Sequence, residues 1–214
     1  MSRAGNDRDR RAEIGRERRA RTRAKIVAAA FDLFGEENGL YSRIEDIAAR
    51  AGVTRPTFYN HFTGMEELRE ALTREVTHDF LVSVTATIAA LPDPRARAAM
   101  AIRFYLRRAQ ADRRWAWSMV NMSANGVIFG SETHRQAEQT VREGVEAGLL
   151  AIPSSALGRD LILGSARAAI AAMLREDLPA DYPEAVAEHI LLGLGVPGED
   201  AQTFAYMPMP RLQT

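Results

Sequence analysis

The sequence predicts an all-α fold, a three-helix helix-turn-helix unit at the N-terminus and a larger helical domain behind it. Three observations predict it. Apolar residues recur three and four positions apart along most of the chain, the spacing that lines one face of a helix. No stretch alternates apolar and polar residues between hairpin turns, and no internal repeat is present. Glycine, proline and capping residues fall between the apolar stripes, where helices must begin and end.

Taken in order, residues 1–21 are polar, arginine-dense and nearly free of apolar groups, and are expected to form a disordered arm. From Thr22 a helix is expected, with Ile26, Ala30 and Phe34 on one stripe and Gly35 and Asn38-Gly39 as its stop. Ser42-Arg43-Ile44-Glu45 reads as a capping box that opens a short second helix ending at Gly52. Thr54 is the candidate N-cap of a third helix, Thr54–His61, with Pro56 in its first turn and Phe58 and Phe62 facing inward. A long helix follows from Met65 to Ala90 and stops at Leu91-Pro92-Asp93-Pro94. Further helices are expected over 95–110, 114–123, 132–149, 155–175 and 182–194, the last capped by Asp181 with Glu184 three residues on. Residues 198–214 turn loop-like and are expected to be a loosely ordered tail. The expected organisation is thus arm 1–21, helix-turn-helix domain 22–66, helical domain 67–197 and tail.

Composition narrows the function. The 214 residues are 46% hydrophobic and contain no cysteine, which suits a soluble chain with a real core and removes disulfides, cysteine-ligated zinc and a thiol nucleophile. No apolar run reaches membrane-span length, and the arginine-rich start lacks the apolar stretch of a secretory signal, so a cytoplasmic location is expected. The formal net charge of zero conceals a partition: residues 1–25 carry ten basic groups against four acidic ones. A basic front end and an acidic remainder suit a protein whose front meets a polyanion.

The turn Ala51-Gly52-Val53-Thr54 supplies the rest of that reading. Gly52 stands where the chain leaves a helix with positive φ, and Val53 tucks beneath both helices. In such a unit the second helix enters the major groove of DNA. Thr54 would start it, and Arg55, Thr57, Tyr59, Asn60 and His61 would face out. Arginine can pair with guanine and asparagine with adenine, while Tyr59 and His61 suit sugar-phosphate. Lys25, Arg43 and the arm offer cations to phosphates.

The run Ile26-Val-Ala-Ala-Ala-Phe-Asp-Leu-Phe34, Gly39, Ile44-Glu-Asp-Ile-Ala-Ala-Arg-Ala-Gly-Val-Thr-Arg-Pro-Thr-Phe-Tyr-Asn-His-Phe62 and Glu66-Glu67-Leu68 resembles the TetR family of transcriptional regulators. The resemblance implies a DNA-binding N-terminal domain, with Thr57, Tyr59 and His61 at recognition-helix positions and Ser42 at a phosphate-touching cap followed by Arg43. It also implies a homodimeric, ligand-responsive repressor acting on a palindromic operator. Three departures stand out: Pro56 where glycine is common, a loop before Ile44 one residue short, and Met65 where lysine is usual.

For the larger domain, Phe80, Phe104, Tyr105, Trp117, Met119 and Met122 concentrate aromatic and thioether groups. These are either ordinary core or the lining of a chamber for a small lipophilic or aromatic effector. Leu161, Ser165, Ala168 and Ala172, with Val186 and Ile190, form stripes that read alone as core. The resemblance implies that these two helices pack against a second copy.

An enzyme is not expected. Gly193-Leu-Gly-Val-Pro-Gly198 follows a helix and opens none, so it is no dinucleotide site. The four histidines lack metal-ligand spacing, no nucleophile elbow occurs, and no cofactor or metal is implied. The rival reading is a helical small-molecule-binding or enzymatic domain whose front end keeps only non-specific affinity for DNA.

Overall fold

The computed structural model describes residues 3–123 and 128–213, with side chains from Arg10 onward. Ten α-helices and one short 3-10 turn make up the described residues, with no strand among them. Helix α1 spans Arg3–Phe34, α2 Ile44–Ala51 and α3 Arg55–Tyr59. Helix α4 runs Met65–Ala89, α5 Pro94–Ala111, α6 Arg113–Met122 and α7 Ser131–Glu146. Helices α8 (Ser155–Met173), α9 (Tyr182–Gly193) and α10 (Gly198–Tyr206) complete the chain.

The boundaries follow from local chemistry. The hydroxyl of Thr54 accepts from the Thr57 amide at 3.3 Å and starts α3. Asp93 and Asp112 do the same for α5 and α6, accepting from the Arg95 and Trp115 amides at 2.8 and 2.9 Å. Gly52 ends α2 at φ 66°, a conformation that costs a glycine nothing.

Four expectations need correction. The arm is not disordered: α1 continues back to Arg3, because arginine, alanine and glutamate are strong helix formers with little else to do. The tail is ordered as well. Arg103 donates to the Met207 carbonyl at 2.6 Å, and the Gln213 amide donates to the Thr87 hydroxyl at 2.9 Å. The cap of α2 lies one residue later than expected. Asp46, not Glu45, reaches back to the amide of Arg43 at 2.8 Å, and Ser42 instead closes the 3-10 turn Gly39–Tyr41. Asp181 gives α9 no side-chain cap. Glu184 is drawn inward, where it accepts from Arg103 and Arg107 at 2.8 and 2.6 Å.

Helix α5 is the axis of the body and packs against α4 and all five later helices, α6 to α10. An aromatic knot of Phe80, Tyr105, Trp115 and Phe129 lies beside it, with ring centroids 5.1–6.1 Å apart. The head, α1–α3, has its own aromatic centre in the fully buried Phe34, Phe58 and Phe62. Head and body meet where α6 lies against the end of α1. The Asn121 amide donates to the carbonyls of Phe34 and Glu36, each at 2.9 Å, and Arg114 pairs with Asp32 while covering the Phe31 ring.

Candidate nucleic-acid interface

Burial of Phe58 and Phe62 four residues apart fixes which face of α3 is left for solvent. Tyr59 is 43% exposed and stands edge-on to Phe58, with ring centroids 5.6 Å apart. Arg55 and Asn60 are exposed, while Thr57 and His61 are half-buried at the rim. Thr54 caps the helix through Thr57, and their two hydroxyls lie 2.8 Å apart.

Arg55 is held within the protein. Its Nε lies 3.2 Å from Glu45, and its guanidinium sits 5.7 Å from the Tyr59 ring centroid. The hydrogen bond with Tyr59, helped by the Glu45 charge, raises its pKa further. To read a base, Arg55 must exchange these partners. His61 is shifted the other way: burial, then the charges of Arg19 and Arg23, lower its pKa. Both influences favour the uncharged imidazole.

Two groups of the expected residues lie apart. Asn60 and His61 share a cleft with Arg18, Arg19 and Thr22 of α1. Ser42 belongs to a separate depression with Tyr41, Asp46 and Arg50. Arg43 is exposed beside it, and Lys25 is exposed on α1. Sequence reasoning missed two residues. Arg19 donates to the Asn60 carbonyl at 3.0 Å, which the expectation of a disordered arm concealed. Tyr41 is 77% exposed, and its one signal was an aromatic placed directly before Ser42.

The Met65 departure has a structural counterpart. Glu67 reaches back at the start of α4 and accepts from the Thr63 amide and hydroxyl at 2.6 and 2.7 Å. The amide first, then the hydroxyl, lower its pKa. A carboxylate thus occupies the helix end that a phosphate would otherwise approach.

In the body, two chambers share Phe129. One, of about 240 Å³, is lined by Arg69, Thr73, Thr77, Met122, Phe129 and Arg135. The other, of about 70 Å³, is apolar and lies between α4, α5, α7 and α8, with Leu81, Ile88, Ile102, Tyr105 and Ile162 among its walls. Its polar groups include Gln136, Thr140 and the Tyr105 hydroxyl, 3.2 Å from that of Thr133; burial pushes the tyrosine pKa up to about 12. Phe129 has φ 60°, a left-handed conformation uncommon for a bulky residue. Of the expected effector residues, Tyr105 and Met122 line a chamber. Phe80, Phe104, Trp117 and Met119 are buried and line neither; they are spent on core packing.

Leu161, Ser165, Ala168 and Ala172 of α8 line one shallow groove of about 600 Å³ together with Val186 and Ile190 of α9. Among the described residues no group of three histidines or carboxylates could hold a metal ion, and no helix is long and apolar enough to cross a membrane.

Comparison with known proteins agrees with this geometry. Residues 26–72 match the family described as bacterial regulatory proteins, tetR family, and residues 93–206 match the tetracyclin repressor-like C-terminal domain. No curated protein matches the sequence. Among solved structures, RolR in complex with resorcinol is similar over 92% of this chain and 99% of its own, with 26% identity and a TM-score of 0.75. A TetR-family regulator from Shewanella sp. PV-4 covers 81% of this chain and 97% of its own at 21% identity, with a TM-score of 0.63. FadR from Bacillus subtilis, solved with stearoyl-CoA, covers 82% and 98% at 20% identity, with a TM-score of 0.61. With one family match on the three-helix head and a second across more than half of the chain, the protein belongs to the TetR family and is a transcriptional regulator.

Proposed function

We propose that this regulator is a homodimeric repressor that binds a palindromic operator through α3 and releases it when a small effector occupies the body. The observation that carries the reading is the outward face of α3. Thr57 and Tyr59 project from the helix, which is shorter than the Thr54–His61 expected, and Asn60 and His61 from the turn that ends it; Phe58 and Phe62 lock the opposite side. One such helix spans too few bases for useful selectivity, so two copies are needed. The groove that gathers Leu161, Ser165, Ala168, Ala172, Val186 and Ile190 supports a self-complementary contact there. Small side chains on α8 let two helices approach closely.

The effector is proposed to be small, lipophilic or aromatic, and uncharged. The 70 Å³ chamber offers apolar walls and the Tyr105–Thr133 hydroxyl pair, which suits an alcohol or phenol. The similarity to a protein solved with resorcinol points the same way. Occupancy would favour a spacing of the two recognition helices that no longer fits one turn of duplex, about 34–36 Å. The operator lies in the cytoplasm, where the protein would act. The head, about residues 22–66, would then move as one unit on the body.

The test is selection of bound duplexes from a random pool at low and at physiological salt, then repeated with resorcinol as the probe. A palindromic consensus that survives physiological salt and weakens with a bound phenol supports the reading. Binding that vanishes with salt and yields no consensus overturns it in favour of a helical binding domain with non-specific DNA affinity.

A further inference from the structure

The amino-terminal half of α1 has no part in the head's core. Every residue from Arg10 to Arg21 is exposed, yet the helix is continuous from Arg3 to Phe34. Its direction is fixed at two levels. The carboxyl end is tied to the body through Asn121, and Arg19 touches the end of the recognition helix at the Asn60 carbonyl. Residues before Arg19 therefore extend past α3, away from the body. At 1.5 Å per residue, the stretch Arg3–Arg18 is about 24 Å long. That is roughly two thirds of a turn of duplex.

Charge on this rod is segregated. At 100° per residue, Arg11, Arg16, Arg19 and Arg23 fall within about 140° of arc. Glu13 and Glu17 lie outside that arc, on the side that also carries Arg10 and Arg21. The only charges on that arc are cations, Asp9 and Asp7 fall about 20° and 40° beyond its two edges, and the rest of the circumference is mixed. Two members of the cationic face are already seated: Arg19 on Asn60, and Arg23 both against Glu75 at 2.6 Å and over the Phe62 ring. They orient the stripe toward the side of the head that presents Asn60 and His61, which share a cleft with Arg18 and Arg19.

We infer that the amino-terminal half of α1 is a second DNA-contacting element, an arginine-faced helix that follows the phosphate backbone flanking the groove entered by α3. The inference rests on the reading that α3 occupies a major groove, and it adds a contact that carries affinity without sequence preference. A duplex presents one negative charge per about 1.7 Å of axis, so a rod of this length lies against several phosphates. Guanidinium groups suit them through paired donors.

The experiment uses the full chain, its Arg11→Gln/Arg16→Gln variant and a deletion of residues 2–14, each titrated against the selected duplex over a range of salt. The glutamine pair keeps helix-forming residues, so a loss in it is not a loss of the helix. The slope of log binding constant against log salt is expected to become shallower by about 0.9 for each phosphate contact removed, with the consensus unchanged. The unaltered protein is expected to bind a duplex extended by flanking base pairs more tightly than one trimmed to the consensus, and both variants to lose that gain. An unchanged slope with no effect of flanks overturns the inference while leaving the operator reading intact. Failure of the unaltered protein to select any consensus overturns the operator reading; the slope difference on random duplex then still supports the arginine face. Unchanged DNA binding with lost retention on phosphatidylserine vesicles overturns the inference and assigns the face to a membrane surface.

Discussion

The head and the body place their chemistry on opposite sides of their cores. In the head, Phe34, Phe58 and Phe62 are hidden, and what remains outside, from Ser42 to His61, is polar and aimed at solvent. In the body, apart from the α8–α9 groove, the specialised groups, Tyr105, Thr133, Met122 and Phe129, line chambers between helices. A function carried on a surface needs only a helix rotated correctly, which two phenylalanines settle. A function carried in a chamber needs the mutual placement of four helices, α4, α5, α7 and α8, which no single motif encodes.

The largest effects should separate the two cores. Phe58→Ala is expected to destabilise the head by about 3–5 kcal/mol through the cavity it leaves, read as a lower denaturant midpoint for the head together with lost operator binding. A tolerant Phe58 would mean that α3 is rotated from its described position. In the body the counterpart is Glu184, 7% exposed and paired with the equally buried Arg103. Glu184→Ala is expected to cost toward the lower end of about 3–5 kcal/mol, because Arg103 is left without its carboxylate. Burial raises the Glu184 pKa, but hydrogen bonds from Arg107 and Arg103 outweigh it and the value is lowered. Its stabilising share is therefore present above the ordinary value of 4.5 and is lost as pH falls through the lower folded value. Acid unfolding of Glu184→Gln should lack that component; identical acid curves would show the pair to be idle.

Smaller effects probe the surface and the joint. Tyr59→Ala is expected to weaken operator binding by about 1–3 kcal/mol with the unfolding midpoint unchanged, since the ring is exposed and only its edge meets Phe58. A loss of fold instead would erase the distinction between the head's core and its reading face. Asn121→Ala removes two neutral hydrogen bonds and is expected to cost about 1–2 kcal/mol. Calorimetry should then resolve head and body as separate transitions where the parent shows one. A single unaltered transition would mean that the remaining contacts, Arg114 on Asp32, Arg23 on Glu75 and Arg69 over Phe34, suffice to couple them.

Much of this architecture was legible in the amino-acid order. The stripes from α4 to α9 are long and periodic, so their existence and approximate ends followed from 3.6-residue spacing, and Gly52 marked the turn before α3 because only a left-handed residue fits there. Residues 1–21 misled because low apolar content resembles disorder, although arginine and alanine form helix readily without a core. Glu45 and Asp46 stand side by side, and spacing alone could not choose which would cap α2. The chambers of the body were the least legible. Of the six aromatic and methionine candidates, Tyr105 and Met122 line the two chambers described, and spacing could not single them out because burial and lining look alike in a helical pattern. Phe129 became a chamber wall through a left-handed loop conformation that sequence does not announce.

The joint at Asn121 bears on how such proteins recombine. Both carbonyls that Asn121 holds belong to the main chain, so that contact is indifferent to which side chains stand at 34 and 36. Its strict requirement falls on Gly39, where a Cβ would collide with the Leu33 carbonyl and the Asn121 amide. A foreign head that ends its first helix in the same glycine turn, and retains Asp32 and Phe31 for Arg114, Arg23 for Glu75 and Phe34 for Arg69, would present this body with an unchanged socket. Chimeras cut just before α4 therefore become a practical way to exchange the DNA-binding head while keeping this body.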